Sequence, residues 1–473
     1  AMEMGAADFI TKPYNSTIVR CRVKNVMARM ENEWRKLEQA ARERQILEMR
    51  HYLETDALTG AYNREAFYEK TAELLQQNRS VHYDIVYFDI NCFKIVNDLF
   101  HVETGNLILK TAGAYFKTIT EGIGVAAHME ADHFAICMPE DMLDIDILLE
   151  GIDSAIFSLG VKNNILFYAG VYPVDDVLVP VNQMCDRAHM ALNTVKGLYK
   201  KRYAYYDEKM REKLLEEQML LREMEQALSS GQFCVYYQPI YSIKAGRAVS
   251  AEALVRWRHP TAGVIPPVRF VPLFERNGFV VRLDRFAWEE VCRMLSERIR
   301  AGLPVVPISV NVSRLNFYDN DFCDTVVGLL QKYGLDPSLL RLEITESAYT
   351  DNPVQLLSVL KRLHDIGLTI LMDDFGSGYS SLNMLKNVTV DILKIDMGFV
   401  QNLEDSERAP TILRRVVEMA HDLKMSVVVE GVETKAQIDF LSSIDCDKIQ
   451  GYYFAKPMAR EDFTALIEKE AGR

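Results

Sequence analysis

Between residues 233 and 450 the chain repeats one hydropathy pattern. A short run of apolar, β-favouring residues ends on a polar or acidic side chain, and an amphipathic stretch follows. Phe233–Tyr237 ends at Gln238-Pro239, Ala248–Ala251 leads into Glu252, Val305–Val310 ends at Asn311, and Leu340–Leu342 leads to Glu343. Leu368–Met372 ends at Asp373-Asp374, Val390–Leu393 at Lys394, Ser426–Val429 at Glu430, and Lys448-Ile449 at Gln450. Strand runs separated by helical stretches predict strands joined by crossovers. Eight of them predict a (β/α)8, TIM-like barrel, in which the strand C-termini share one face. Polar residues far apart in sequence then converge.

The pattern upstream is different. Ser16 to Met30 predicts a helix with Ile18, Val19, Val23, Val26 and Met27 on its apolar side, and the helix continues through Glu31–Glu54, which has no Pro or Gly. Met30, Trp34, Leu37 and Ala41 follow 4-3-4 spacing, which suits either a coiled-coil seam between two protomers or one face of a single spacer. Tyr83–Ile90 predicts a buried strand ending near Asp89. A second connecting helix, with Met210, Leu214, Leu221, Met224 and Leu228 on one face, stops at Ser229-Ser230-Gly231. These shifts divide the chain into residues 1–30, a linker 31–55, an α+β domain 56–206, a linker 207–231 and the barrel 232–473.

The 473 residues are too many for one core, and 49% apolar with 26% charged residues is the balance of a folded, soluble chain. A formal charge of −13 argues against non-specific nucleic-acid or anionic-membrane binding. No apolar run is long enough to span a bilayer and no secretion signal opens the chain; the eight Cys contain no C-x-x-C pair. A cytoplasmic location with reduced thiols is the expectation.

The charge pattern sharpens the chemistry. Glu252, Glu343, Asp373, Asp374 and Glu430 would put five carboxylates in one barrel mouth with Asn311, Lys394 and Gln450. Like charges that close repel unless cations intervene, and an all-oxygen set favours Mg²⁺ or Mn²⁺. Two such ions a few Å apart would suit phosphodiester hydrolysis. Glu430 is a candidate to take a proton from water, and Lys394 to position that water or offset developing charge.

Tyr237-Gln238-Pro239-Ile240, Glu252-Ala253-Leu254-Val255-Arg256-Trp257, Asn311-Val312-Ser313, Glu343-Ile344-Thr345-Glu346, Asp373-Asp374-Phe375-Gly376-Ser377-Gly378, Lys394-Ile395-Asp396, Glu430-Gly431-Val432-Glu433 and Gln450-Gly451-Tyr452 together resemble the EAL cyclic di-GMP phosphodiesterase family. The resemblance implies that Glu252, Asn311, Glu343 and Asp373 hold one metal and that Asp373 and Asp374 engage the second. It implies that Lys394, Glu430 and Gln450 complete the catalytic set, and that Gln238, Leu254 and Arg256 contact substrate. Gly376–Leu385 matches the family's mobile loop and Glu346 its anchoring acid; the family's dimers form near that loop.

Two further resemblances lie upstream. Asp56-Ala57-Leu58-Thr59-Gly60-Ala61-Tyr62-Asn63-Arg64, with Asp89, Asn91, Phe93-Lys94, Asn97-Asp98, His101 and Gly105-Asn106, resembles the GGDEF diguanylate cyclase family. The naming motif stands here as Glu130-Ala131-Asp132-His133-Phe134. Glu130 and Ala131 replace glycines that let a backbone approach a triphosphate. By the resemblance Asp89 and Asp132 match metal-binding acids, Asn97 and Asn106 guanine-contacting positions, and Lys196 a phosphate-contacting lysine. A domain without cyclase activity is expected, either sensing GTP or acting as a dimerising spacer. Gly5-Ala6-Ala7-Asp8-Phe9-Ile10-Thr11-Lys12-Pro13 resembles the end of a response-regulator receiver domain, so the chain is expected to belong to a longer regulator. The combined expectation is a homodimeric hydrolase of cyclic di-GMP, with a non-catalytic receptor for it as the alternative.

Overall fold

The structure, a computed structural model, describes residues 16–160, 165–198, 201–345, 353–376, 385–401, 403 and 408–472. The receiver-like motif and Glu346 lie outside the described residues, as does 377–384 of the expected loop. The chain divides into two units, Ala1–Leu214 and Leu215–Arg473, with the division inside a helix, Glu208–Ser229, that stops just before Gly231.

In the first unit one helix runs unbroken from Ser16 to Glu54, across the expected boundary at residue 30. Its Trp34 and Leu37 are exposed. The helix Arg64–Gln77 then starts at Asn63, whose side chain accepts from Ala66 N, one of the otherwise unpaired donors of a first turn. The sheet comprises β1 (Tyr83–Ile90), β2 (Val125–Glu130), β3 (His133–Pro139), β4 (Phe167–Pro173) and β5 (Tyr203–Tyr205), in the order β2-β3-β1-β4-β5. Every residue of β1 is buried, because both faces of this central strand are covered. Ile85 and Tyr87 enter one apolar core with Phe67 and Met184, while Val86, Phe88 and Ile90 enter a second with Phe116 and Ile152. This is the period-2 alternation of a strand expressed as two cores.

The second unit is a closed eight-stranded barrel. Its strands are β6 (Phe233–Ser242), β7 (Arg247–His259), β9 (Ile308–Asn311), β10 (Leu340–Thr345), β11 (Thr369–Phe375), β12 (Ile392–Ile395), β13 (Ser426–Val429) and β14 (Lys448–Ile449). The order β6-β14-β13-β12-β11-β10-β9-β7 closes by a β6–β7 pairing, and a short β8 (Gly263–Ile265) extends β7 outside the ring. All eight expected strands are present. The all-parallel (β/α)8 pattern needs one correction: β6 runs antiparallel to both β7 and β14. The reason is local, since only Ile243–Gly246 separate β6 from β7 and a hairpin that short cannot return a strand parallel. Gln238 and Glu252 therefore lie inside strands, paired with each other, rather than at strand ends. The main core, including Trp288, Leu342, Leu393 and Val427, packs strands against the outer helices.

Candidate active site

Inward-facing residues of six strands, β6, β7 and β9 to β12, and the residues just after β13 and β14 form the site. On an ideal strand, consecutive residues point to opposite faces, so Asp373 and Asp374 should diverge. They do not. The β11–β12 register shifts between Met372 and Phe375, and Asp374 takes a left-handed backbone (φ 57°). This bulge brings carboxylate oxygens of Asp373, Asp374 and Glu430 within 4.8 Å of one another, and Glu252, Glu343 and Asp373 form a second such group. Gly376 and Gly431 keep the flanking turns tight. Both have positive φ, and a Cβ would lie 2.2 Å from the Phe399 ring at Gly376 and 2.4 Å from Met397 Cβ at Gly431.

Lys394, 1% exposed, is the hub. Its Nζ lies 3.2 Å from Glu252 Oε2, 2.9 Å from Glu343 Oε2, 2.9 Å from Asp373 Oδ1 and 2.7 Å from Glu430 Oε1. Burial alone would lower its pKa, but the carboxylates raise it well above the ordinary value. Gln450 Nε2 donates to Glu252 Oε2 at 2.7 Å and to Gln238 Oε1 at 3.1 Å; Asn311 Nδ2 donates to Glu252 Oε1 at 3.2 Å. Burial works to raise the Glu252 carboxyl, yet Lys394 and these amides hold it below the usual range. Its neighbours go the other way. Burial, then the Glu252 charge, pushes Glu343 well up; burial against Lys394 leaves Glu430 pushed up to about 7; burial and Asp373 push Asp374 up to about 6.

The cause is an excess of negative charge. Five carboxylates face one ammonium, a formal net of −4. Glu343 Oε1 is buried with no hydrogen-bond partner. Clustered oxygen donors, one orphaned, fit hard divalent cations.

Of the remaining expected residues, Leu254 lines a cavity of about 500 Å³ beside the cluster. Arg256 bonds its own Val255 carbonyl and lies over the Tyr236 ring, without a hydrogen bond to the acids. Gln238 holds Gln450 and donates to the Ala455 carbonyl at 3.3 Å. Sequence reasoning missed Asp284. Its Oδ2 accepts from Ser313 N at 2.9 Å and Asn316 Nδ2 at 2.7 Å, fixing the loop after Asn311 where it borders the same cavity. A lone acid among apolar residues in Val280-Val281-Arg282-Leu283-Asp284 was the available signal.

In the first unit Asp89, Asp132 and His133 do come together. Asp89 is 1% exposed; His133 Nε2 lies 3.0 Å and Lys196 Nζ 2.5 Å from its Oδ2. Asn97 and Asn106 stand on the helix Phe93–Thr120, with Asn97 Oδ1 buried and unpartnered. Among the described residues no hydrogen bond joins either to the Asp89 cluster. Glu130 pairs with Arg64 at 2.6 Å, and Ala131 adopts φ 49°, the conformation glycine favours.

Comparison with known proteins matches residues 53–200 to the diguanylate cyclase, GGDEF domain, and residues 221–457 to the EAL domain. The chain belongs to the EAL family. It carries a GGDEF domain ahead of the EAL domain. The cyclic di-GMP phosphodiesterase NbdA of Pseudomonas aeruginosa is 31% identical over 435 residues, covering 89% of this chain and 55% of NbdA. The bifunctional diguanylate cyclase/cyclic di-GMP phosphodiesterase MucR of the same organism is 30% identical over 421 residues, covering 87% and 61%. The chain thus spans little more than half the length of these relatives. The solved PaMucR phosphodiesterase in complex with c-di-GMP is 37% identical over 52% of this chain and 99% of that one, with a TM-score of 0.50. The Vibrio cholerae LapD S helix-GGDEF-EAL structure covers 88% of this chain and 100% of its own at a TM-score of 0.50; at 18% identity this is a likeness of fold alone. No helix among the described residues is long and apolar enough to cross a membrane.

Proposed function

We propose that the EAL domain hydrolyses one phosphodiester bond of cyclic di-GMP to give linear pGpG, using two Mg²⁺ or Mn²⁺ ions. The observation that carries this reading is the charge balance: a net of −4 around Lys394 is what two divalent cations would cancel. Glu252, Asn311, Glu343 and Asp373 would hold one ion, and Asp373 and Asp374 the other. When bound, such ions would neutralise charge on the phosphoryl oxygens and make water a better nucleophile.

The chain's own residues do the rest. Glu430 takes a proton from the water that attacks phosphorus as the bond to the 3′ oxygen breaks. Lys394, fixed by its carboxylates, holds positive charge beside the developing negative charge. Gln450 and Gln238 orient Glu252. The cavity bordered by Leu254, Asp284 and Asn311 gives a nucleobase an apolar wall, and the half-buried Arg256 offers a cation for a phosphate.

For the GGDEF domain we propose no cyclase activity. Glu130 and Ala131 stand where the resemblance expects glycines, and Lys196 already neutralises Asp89, which His133 also contacts. Its role is then GTP sensing or dimerisation, in a cytoplasmic homodimer. The test is conversion of cyclic di-GMP followed by chromatography. Glu252→Ala and Glu430→Ala are expected to abolish it; wild-type rates from either would refute the site. Retained binding without conversion in the unmutated, metal-loaded protein would instead establish a receptor.

A further inference from the structure

The barrel interior is layered. Two residues before the polar row on their strands, Leu371, Ile392 and Val428 join Ile240 in a separate buried apolar plug. At its level and just below it the lining turns cationic, with Lys448 in register with Val428 and Arg341 with Thr369. Arg341 precedes Glu343 by two positions on β10, and Lys448 precedes Gln450 by two along the chain of β14, so both share the inward direction. Register sets Arg341 beside Ser309 and Thr369, and Lys448 beside Ser242. Lys448 Nζ donates to Ser426 Oγ at 3.2 Å. Arg341 Nε is buried with no hydrogen-bond partner.

Neither cation has a directly paired counter-charge: Glu343 and Asp391 act on Arg341, and Asp447 on Lys448, only from beyond contact distance. Among the described residues neither forms an ion pair. The neighbouring acids are committed elsewhere: Asp391 Oδ2 accepts from Ile370 N at 2.8 Å, and Asp447 Oδ2 accepts from Val427 N at 2.8 Å and lies 3.0 Å from His421 Nε2. Burial and then the Arg341 charge pull the Lys448 ammonium below its ordinary range, so the two groups feel one another. Two like charges sharing a low-dielectric end of a barrel are costly unless an anion lies with them.

We propose that this lower mouth, at the opposite end of the barrel from the acidic cluster, binds a small oxyanion of the phosphate class. Arg341 supplies a planar fork of donors, Lys448 a point charge and Ser426 a hydroxyl, a donor set suited to tetrahedral oxyanions. The anion is a fixed structural partner and takes no part in the hydrolysis proposed above.

The test is calorimetric and thermal titration of the full chain in chelator, so that the acidic mouth holds no cation. Inorganic phosphate and 5′-GMP are titrated separately against chloride at equal ionic strength, for wild type, Arg341→Met and Lys448→Met. Phosphate at tens of millimolar is expected to raise the barrel's Tm by about 3 °C in wild type. Both variants should lose that response, with affinity at least tenfold weaker. Lys448→Met should also melt higher than wild type without phosphate, because a buried repulsion is gone, which guards against misfolding. A response to phosphate alone assigns the free ion, and an equal response to 5′-GMP assigns a nucleotide phosphate. Equal shifts with chloride, or shifts unchanged in both variants, would overturn the proposal.

Discussion

Replacing Lys394 with Met separates structure from chemistry in the acidic mouth. The side chain is 1% exposed and its Nζ lies within 3.2 Å of oxygens from four carboxylates. Met keeps the length and apolar stem but removes the only ammonium there among the described residues. Removing one partner of a buried ion pair costs about 3–5 kcal/mol, because the charges left behind are uncompensated. For a unit of this size each kcal/mol is worth about 2–4 °C, so the barrel should melt about 10 °C lower in chelator. Divalent cations offset the same charge, so in excess Mg²⁺ the loss should shrink to a few degrees. Turnover should still fall about 10²–10³-fold, the cost of losing one positioned donor. Tryptophan fluorescence is a suitable assay: Trp257 and Trp288 are fully buried in the barrel, while Trp34 is exposed on the first helix. A variant that melts within about 2 °C of wild type in chelator would refute the idea that Lys394 balances the cluster.

Two predictions concern the GGDEF domain. Asp84 is 3% exposed on β1, and burial, then the Glu140 and Asp175 charges, pushes it up to about 6. Its folded pKa exceeds the unfolded value of about 3.9, so wild-type stability falls as pH rises from about 4 to about 6 and then levels. Asp84→Asn should be more stable than wild type by about 1–3 kcal/mol at pH 8, the gap closing by about pH 3.5; a gap independent of pH would exclude the carboxylate charge as its cause. Ala131→Gly should stabilise the domain by about 0.5–1 kcal/mol in chemical denaturation, because φ 49° strains a residue with a Cβ. It should not yield cyclic di-GMP from GTP, since Glu130 still pairs with Arg64; product from this variant would contradict that reasoning.

Much of the barrel was legible because its strands are short, apolar and end in chemistry. All eight were visible as runs, and Glu252, Glu343, Asp373, Lys394, Glu430 and Gln450 do share one mouth. What the pattern could not show is direction. Strand period says which face a residue takes, not which way the strand runs, so the antiparallel β6 and the Gln238–Glu252 pairing were invisible. Nor does a period-2 rule allow neighbouring Asp373 and Asp374 to act together; that requires a bulge and a positive φ in a non-glycine residue. Asp284 was hidden for another reason. Its partners are a backbone amide at Ser313 and the side chain of Asn316, and backbone donors leave no trace in sequence. In the GGDEF domain the replaced glycines were readable, but not that His133 would turn onto Asp89 beside Lys196.

The measurement that tests the central claim most directly is chromatography of cyclic di-GMP incubated with this protein, in Mg²⁺ and in chelator, each with and without GTP. Conversion to pGpG in Mg²⁺ and none in chelator is the predicted result, and a rate increase on adding GTP would assign the GGDEF domain a sensing role. Equal conversion in chelator, or no conversion in Mg²⁺ by protein that binds cyclic di-GMP, would contradict the proposed metal-dependent hydrolysis.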